Sequence, residues 1–401
     1  MIQYSRVYAT IDLDAVKSNM EAMKKNLPEG TGMIGVVKTD GYGHGAVPVA
    51  HAIDSYVKGY AVATVDEALI LRRHSIIKPI LVLGVVHESR YRDMILHDIR
   101  PAMFERERIL RYSELAEQMG KKAPIHLALD TGMSRIGMSP DEESADMVQA
   151  VSKLRGIQLE GMFTHFARAD EMDKTKARQQ LERYLHFAAL LEERGVRIPV
   201  KHCSNSAGII DSLGTDLDLT RAGISIYGMY PSDQVDQTKV VLTPVMGLKS
   251  FITYIKTIQA GAEVSYGGTF TAPETMRVAT IPVGYGDGYP RNLSGKGWVL
   301  IHGKKAPILG RVCMDQFMVD VTRIHEARED DEVTLIGRDG EQRITVEDLA
   351  NAGGGFHYEI VCDIGKRVPR VYLSGGQVVG TKDYFNDIYE GFGGQQEDRV
   401  R

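Results

Sequence analysis

The chain has 401 residues, of which 43% are hydrophobic and 25% charged, and its formal net charge is −5. This length predicts two or three domains with ample hydrophobic core, and the composition is that of an ordinary globular protein. The acidic balance excludes an overall basic surface, so nucleic acid is not an expected partner.

The first stretch of the chain, MIQYSRVYATIDLD, carries polar and charged residues where a signal peptide needs an apolar core. No apolar run approaches the roughly 18 residues of a membrane span, so a membrane is not an expected partner either. The cysteines, Cys203, Cys313 and Cys362, are odd in number and far apart, which argues against a disulfide framework. We therefore expect a reduced, cytoplasmic setting.

Residues 12 to about 230 alternate between short apolar runs and helical patterns. Continuous apolar runs are typical of a parallel sheet that is covered on both faces. The predicted strands are MIGVVK (33–38), YAVAT (60–64), PILVLG (79–84), IRPAM (99–103), IHLALD (125–130), LEGMFTHF (159–166), VKHCSN (200–205) and ISIYG (224–228). Eight strands separated by helices predict an α/β fold, a (β/α)8 barrel of the TIM type over residues 12–236.

Helical spacing of apolar residues marks the segments between these strands. The first helical pattern runs from Leu13 to Leu27, and either Asp12 or Asp14 is available as its N-terminal cap. A later pattern begins at Leu181 and ends before Gly195, a residue type that favours helix termination. Each helix predicts one connection of the barrel.

After about residue 240 helical periodicity nearly disappears. Short strands rich in Val, Ile and Thr are separated by turn signals such as HGKK (302–305) and GRDG (337–340). We therefore predict a mostly β domain over residues 240–385, to which residues 1–11 add a strand. Residues 386–401 are expected to form a tail.

Lys38 stands at the end of a predicted strand, within the stretch GVVKTDGYGHG (35–45). Active sites of parallel barrels lie at the C-terminal ends of the strands. A lysine in a partly dry pocket can lose its proton and form a Schiff base with an aldehyde. A lysine that merely extends into solvent from a strand end is the alternative interpretation.

The stretches HCSNSAG (202–208) and TRAGISIYG (220–228) accompany the seventh and eighth predicted strands. Barrels often bind a phosphate group after these two strands, through backbone N–H groups, small residues and a hydroxyl. Ser206, Gly223 and Ile224 suit that purpose. A lysine combined with such a phosphate site predicts a pocket for pyridoxal 5′-phosphate (PLP).

With these motifs in place, the chain resembles the alanine racemases, PLP enzymes of fold type III that combine a barrel with a β domain. The resemblance runs through nearly the whole chain in the order of the family. The matching stretches are VVKTDGYGHG, DTGMSRIGM (130–138), GMFTHFARADE (161–171), CSNSAG, TRAGISIYG, VSYGGTFTA (264–272), VGYGDGYPR (283–291), GRVCMDQ (310–316) and GKRVPRVY (365–372).

The resemblance implies a set of cofactor-binding residues. Lys38 would bind PLP covalently and act as one acid–base group. Arg221 would face the pyridine nitrogen, supported by His165 and His202. Because a guanidinium does not give up its proton, the ring would stay unprotonated and would be a weaker electron sink. The phosphate group would be held by Tyr42, Ser206, Gly223, Ile224 and Tyr358.

The resemblance also implies the groups around the substrate. Tyr266 would be the base on the face opposite Lys38, since racemisation removes a proton from one face and returns one to the other. Arg135 would bind the phenolic oxygen of the cofactor and the substrate carboxylate. The N–H of Met314 would also bind the carboxylate, and Tyr285 would narrow the entrance. In the family Tyr266, Tyr285 and Met314 come from the partner subunit, which implies a homodimer.

One position departs from the family pattern. Many relatives carry a carbamylated lysine two residues before the Asp of DTGM, and this chain has Ala128 there. A negative charge near Arg135 is then absent or supplied otherwise, for example by a bound chloride. No metal is expected.

We therefore predict an enzyme that racemises alanine by two-base α-proton transfer and supplies D-alanine for the bacterial cell wall. A serine racemase or a racemase of broader specificity is the main alternative, because an apolar pocket rejects one extra hydroxyl or methylene only weakly. A decarboxylase of the same fold type is disfavoured, because those enzymes place a glutamate, not an arginine such as Arg221, against the ring nitrogen. A non-enzymatic PLP carrier is disfavoured because carriers of this type lack the β domain.

Overall fold

The computed structural model describes Tyr4 and residues 6–384. Backbone contacts divide the chain into two compact units. The barrel unit spans Asp12–Val245, and the β unit combines the residues up to Ile11 with those from Met246 onwards. The predicted tail, residues 386–401, lies outside the described residues.

Strand β1 (Val7–Asp12) is part of the β unit, where Val7–Ile11 pair antiparallel with residues 246–250. Its residues alternate between buried and half-buried, as expected for a strand with one face on a core. The start of the chain therefore contributes a strand to a sheet formed otherwise by the C-terminal part.

The barrel unit is a closed parallel barrel, as the apolar runs predicted. Each strand pairs in parallel with the next one along the chain, and the last pairs with the first, for example Ile34 opposite Arg221. Its eight strands, all among the described residues, are β2 (Gly32–Val36), β3 (Gly59–Val62), β4 (Ile80–Val82), β5 (Ile99–Met103), β6 (Ala123–Ala128), β7 (Ile157–Phe163), β8 (Val200–His202) and β9 (Leu219–Ala222).

One helix precedes the first strand of the barrel, and the others lie between its strands. They are α1 (Leu13–Lys25), the short segment α2 (Lys38–Tyr42), α3 (Ala46–Ile53), α4 (Val65–Arg73), α5 (Tyr91–Leu96), α6 (Arg106–Gln118), α7 (Glu142–Val151), α8 (Thr175–Glu193) and α9 (Ser206–Ile210). Asp12 is the N-terminal cap of α1, because its Oδ1 accepts hydrogen bonds from the N–H groups of Asp14 (2.9 Å) and Ala15 (3.0 Å). Over residues 4 and 6–384, none of the helices combines the length and apolar character that crossing a bilayer demands.

The predicted strand ISIYG (224–228) is wrong. Residues Ile224–Tyr227 form a 3-10 turn, and the strand of this region is β9. Gly223 leaves the extended conformation, with φ −119° and ψ −111°, and its carbonyl accepts the Ile226 N–H at 2.9 Å. The apolar side chains of this run are buried in the turn, so burial alone did not distinguish it from a strand.

The β unit is dominated by a large, mostly antiparallel sheet. In addition to β1, the β unit contains β10 (Met246–Phe251), β11 (Tyr254–Ile258), β12 (Glu263–Val264), β13 (Phe270–Thr271), β14 (Met276–Ile281), β15 (Trp298–Ile301), β16 (Lys304–Leu309), β17 (Phe317–Asp320), β18 (Glu332–Asp339), β19 (Gln342–Ile344), β20 (Arg370–Ser374) and β21 (Gln377–Lys382). Strands β12 and β13 pair with each other as a separate two-stranded sheet. The sheet order is β11-β14-β17-β16-β15-β18-β10-β1-β20-β21, with β19 paired to β18. The described part of the unit also contains two α-helices, α10 (Val346–Gly353) and α11 (His357–Asp363).

Candidate active site

The residues that follow Lys38 form a left-handed turn. The φ angles are 55° at Thr39, 49° at Asp40, 65° at Gly41 and 51° at Tyr42. For L-residues other than glycine this conformation costs about 1–2 kcal/mol per residue. Such strain persists only where the surrounding structure determines it, and such sites cluster near functional groups.

Neighbouring groups hold this turn in place. The Glu67 carboxylate accepts the Thr39 N–H at 2.6 Å, and the Asp40 carboxylate accepts the Ala46 N–H at 2.8 Å. Glu67 also closes a capping box with Thr64 at the start of α4. The capping-box pattern T-x-x-E can be recognised in the sequence at 64–67. The contact of Glu67 with the turn after Lys38 arises only in the folded barrel. These contacts fix the backbone conformation immediately after Lys38.

A cavity of about 230 Å³ opens next to Lys38. Its lining comes from residues that end or follow barrel strands, and it includes Lys38, Ala128, Arg135 and His165. Arg135 lies in the loop after β6, which is organised by Asp130, whose Oδ1 accepts three successive backbone N–H groups. The structure therefore brings three of the predicted site residues to one cavity at the C-terminal ends of the strands.

Arg221 lies on β9 and is buried. Its NH1 group donates to Nδ1 and the carbonyl of His202, at 2.9 and 3.1 Å. Its NH2 group donates to the carbonyls of Thr164 (2.7 Å) and Cys203 (2.9 Å) and approaches Nδ1 of His165 at 3.3 Å. These contacts occupy both terminal nitrogens, and the Nε–H has no partner among the residues that the structure describes.

The electrostatics around Arg221 keep both histidines neutral. Burial lowers the pKa of His165 to about 3, and the positive charges of Arg221, Arg135 and Lys38 act in the same direction. Burial and the Arg221 charge also hold the pKa of His202 well below its usual value. Burial lowers the pKa of Arg221 to about 10, so its guanidinium remains charged at neutral pH. The arginine is thus the donor in both contacts, as the predicted supporting role of the histidines requires.

The predicted phosphate-binding residues of the barrel meet at Gly223. Ser206 Oγ accepts the N–H groups of Gly223 (2.9 Å) and Ser225 (3.3 Å). A Cβ atom at Gly223 would lie 3.3 Å from the Tyr42 hydroxyl oxygen and 3.5 Å from Ser206 Oγ. Ile224 follows directly. The lack of a side chain at Gly223 therefore leaves a small space that faces two hydroxyl groups.

Three other predicted residues gather around Cys313 in the β unit. The N–H groups of Tyr285 and Gly286 donate to the carbonyls of Cys313 (3.1 Å) and Met314 (2.8 Å). Ser265, which directly precedes Tyr266, has its hydroxyl 3.4 Å from the Cys313 sulfur. Tyr266, Tyr285 and Met314 thus form one surface patch, with exposed fractions of 71%, 43% and 53%.

Tyr358 lies on α11 and also belongs to the β unit. Its ring stacks on that of Phe356, with the centroids 4.6 Å apart. The predicted residues therefore fall into two sets: Lys38, Tyr42, Arg135, His165, His202, Ser206, Arg221, Gly223 and Ile224 in the barrel unit, and Tyr266, Tyr285, Met314 and Tyr358 in the β unit. Within the described residues no group of three or more His, Cys, Asp and Glu side chains is arranged to bind a metal ion.

Comparisons with known proteins give one consistent picture. The family model "Alanine racemase, N-terminal domain" matches residues 11–231, and "Alanine racemase, C-terminal domain" matches residues 245–372. A curated alanine racemase from Desulforamulus reducens is 43% identical over 368 residues, which cover 92% of this chain and 99% of the relative.

Solved structures are similar over almost the same length. An alanine racemase from Clostridium difficile 630 has a TM-score of 0.91 at 39% identity, covering 96% of this chain and 100% of its own. A histidine racemase from Leuconostoc mesenteroides has a TM-score of 0.85 at 29% identity, covering 92% of this chain and 99% of its own. The same architecture therefore occurs in proteins named for different amino acids.

Proposed function

This chain belongs to the alanine racemase family, and we propose that it interconverts L-alanine and D-alanine with bound PLP. The observation that carries the proposal is the cavity that Lys38 and Arg135 share at the C-terminal ends of the barrel strands. An amine and a guanidinium facing the same small space are the two groups that an enzyme acting on an amino acid through an aldehyde cofactor needs.

The barrel residues fit PLP in three respects. Lys38 offers the amine that can react with the aldehyde. The Nε–H of Arg221, which has no partner among the described residues, offers a donor for the pyridine nitrogen. The space at Gly223 faces the hydroxyls of Tyr42 and Ser206, and hydroxyl and N–H donors are suited to a phosphate group. When bound, PLP would withdraw electrons from the α-carbon of an attached amino acid and so acidify its α-proton.

Lys38 and Tyr266 would move that proton on opposite faces of the substrate. Free lysine and tyrosine have pKa values of about 10.4 and 10, so both need help from their surroundings to act as bases near neutrality. Lys38 lines the same cavity as Arg135, so a substrate held by Arg135 would lie within that cavity together with the amine. Arg135 would bind the substrate carboxylate and the phenolic oxygen of the cofactor.

We propose further that the enzyme is a homodimer in which the patch of Tyr266, Tyr285 and Met314 faces the barrel site of the partner subunit. Large apolar side chains that are exposed side by side favour such an interface. The Met314 N–H has no hydrogen-bond partner among the residues described here, so it is available for a substrate carboxylate. A cytoplasmic location and a role in supplying D-alanine for the cell wall agree with this activity.

A chloride ion bound near Arg135 is part of the proposal. No described residue accepts a hydrogen bond from the Arg135 guanidinium, and the neighbouring position that could have supplied a negative charge is Ala128, which lines the same cavity. We expect enzyme dialysed into HEPES buffer without halide to lose activity severalfold and to recover it when chloride is added, with sodium methanesulfonate holding the ionic strength constant. Steady-state assays against chloride concentration would measure this. Equal activity with and without halide contradicts the chloride site.

The activity itself is tested by incubating the PLP-loaded protein with L-alanine, L-serine or L-histidine in D2O. We expect D-alanine that carries deuterium at the α-carbon, detected by chiral chromatography and mass spectrometry. The relative yields of the three products would define the substrate range, and a higher yield of D-serine or D-histidine would replace alanine as the main substrate. Loss of carboxylate would indicate a decarboxylase, and bound cofactor without turnover would indicate a carrier.

A further inference from the structure

A line of hydrogen-bonded side chains extends from Arg221 to a part of the barrel that the proposed mechanism does not use. Nδ1 of His202 lies 2.9 Å from Arg221 NH1, and its Nε2 lies 2.9 Å from Nδ1 of His126. Nε2 of His126 in turn lies 3.2 Å from a carboxylate oxygen of Glu160. His202 is fully buried and His126 is 5% exposed, so neither imidazole can replace these contacts with hydrogen bonds to bulk water.

The chemistry of the two ends dictates where the protons lie along this line. Arg221 can only donate, so Nδ1 of His202 must accept and its proton must be on Nε2. Nδ1 of His126 must then accept that proton, which places the proton of His126 on its own Nε2. The Glu160 carboxylate accepts it and ends the line. Neutral histidines satisfy every contact in only this one arrangement, which we call the Glu160–Arg221 relay.

Glu160 is held as the anion that this arrangement requires. Arg100 donates to both of its oxygens, at 2.9 and 3.1 Å. Burial acts to raise the pKa of Glu160, but the hydrogen bonds from His126 and Arg100 outweigh it and lower the pKa to about 2. Burial also keeps the pKa of His126 below its usual value, so the imidazole stays neutral beside the carboxylate.

The backbone is shaped to admit these side chains. Along β6 and β7, Ile125 pairs with Leu159 and His126 pairs with Gly161, so Glu160 is an extra residue in a β-bulge. A Cβ atom at Gly161 would lie 2.4–2.8 Å from the His126 ring, so a larger residue at 161 would displace the imidazole. The bulge changes the direction of the Glu160 side chain, and Gly161 leaves room for the His126 ring. The two features together indicate that the sequence specifies this arrangement.

We propose that Glu160 and His126 are positioning residues for Arg221. They fix the tautomer of His202, so that its Nδ1 presents a lone pair, and not an N–H, to the guanidinium of Arg221. They also place the negative charge of the Glu160 carboxylate at the far end of the relay. Both effects hold Arg221 in the orientation that leaves its Nε–H for the ring nitrogen of the cofactor. This inference rests on the proposed function, since it assigns a purpose to the arginine that would contact PLP.

The first test is a measurement on the wild-type holoenzyme. Protein labelled with ¹⁵N-histidine is examined by NMR at neutral pH, with the two imidazoles identified through the variants His126→Gln and His202→Gln. We expect both rings to be neutral with the proton on Nε2. Detection of an Nδ1–H tautomer or of a doubly protonated ring at either position overturns the relay, and this result does not depend on whether the protein turns over any substrate.

The second test is the variant Glu160→Gln, compared with Asp98→Asn. Asp98 also contacts Arg100, at 2.7 Å, but it is solvent-exposed and has no contact with either histidine of the relay, so it is a matched loss of a carboxylate. The side-chain amide introduced at position 160 is neutral, and it cannot accept from both His126 and Arg100 without directing its own N–H₂ at one of these donors. We expect Glu160→Gln to lower kcat for alanine about ten-fold with KM nearly unchanged, and to shift the absorption maximum of the bound cofactor.

The two tests distinguish a failure of the positioning role of Glu160 from a failure of the proposed racemase activity. A Glu160→Gln variant with the absorption spectrum and kcat of the Asp98→Asn control overturns the positioning role. A wild-type protein that binds PLP but racemises no amino acid overturns the proposed function, whereas the tautomer pattern would still be decided by NMR. A drop in kcat without a change in the spectrum of the cofactor would indicate only a structural role for Glu160 and would also reject the inference.

Discussion

The substitution Lys38→Ala is expected to abolish racemisation, with kcat lower by about 10³-fold or more, because it removes both the attachment point of the cofactor and one of the two acid–base groups. The cavity beside Lys38 is otherwise preserved, so the folded protein should still bind PLP without a covalent bond. Reduction with borohydride followed by mass spectrometry measures this directly. We expect the added mass of the cofactor on the peptide that contains Lys38 in the wild type, and no added mass in the variant.

Lys58→Ala is the matched control for this experiment. Lys58 is exposed and directly precedes β3, so it lies at the N-terminal ends of the barrel strands, away from the cavity. We expect the activity and covalent labelling of this variant to equal those of the wild type. Covalent labelling that persists in Lys38→Ala, or activity within ten-fold of the wild type, would contradict the assignment of Lys38.

The substitution Tyr266→Phe is expected to slow removal of the α-proton from L-alanine by about 10²–10⁴-fold, the usual contribution of a positioned acid–base group. Removal from D-alanine should change much less, because Lys38 serves the other face. Net racemisation needs both bases and slows in both directions, so turnover alone does not separate the faces. The informative measurement is the incorporation of deuterium from D2O into unreacted substrate, followed separately for each enantiomer.

Tyr254→Phe is the control for the loss of a phenol in the same unit. Tyr254 is on β11, 53% exposed and outside the patch around Cys313. Its removal should leave exchange on both faces unchanged. If Tyr266→Phe slowed exchange of both enantiomers equally, Tyr266 would not be the base for one face.

The barrel was predictable because its strands are short and most of their residues are buried and apolar. The prediction IRPAM coincides with β5 (Ile99–Met103), and other strands differ from the predictions mainly at their ends. The eighth strand was misplaced because β9, with the sequence LTRA, contains Arg221, whose burial depends on partners that are distant in sequence. A strand with polar residues lacks the continuous apolar run on which the prediction was based. The neighbouring run ISIYG is apolar, but it does not form a strand.

The position of a candidate site residue was predictable where that residue belongs to a recognisable motif. The stretch around Lys38 and the CSNSAG segment pointed to a cofactor, and the structure places Lys38, Arg135 and His165 on one cavity. The contacts of His126, Glu160 and Glu67 were not predicted, because each contact arises only in the closed barrel. The pattern of IHLALD suggested a strand, but nothing in it indicated that the His126 ring would lie between a second histidine and a carboxylate.

The left-handed turn after Lys38 has a consequence for chemical synthesis of the protein. D-amino acids prefer positive φ angles. The backbone at Thr39, Asp40 and Tyr42 therefore has the conformation that a D-residue would adopt without strain. Replacing Thr39 by D-alanine through semisynthesis would therefore relieve local strain while keeping the N–H that Glu67 binds. An L-alanine at the same position would retain the strain, so the pair of chains would measure how much conformational energy is stored beside the reactive lysine.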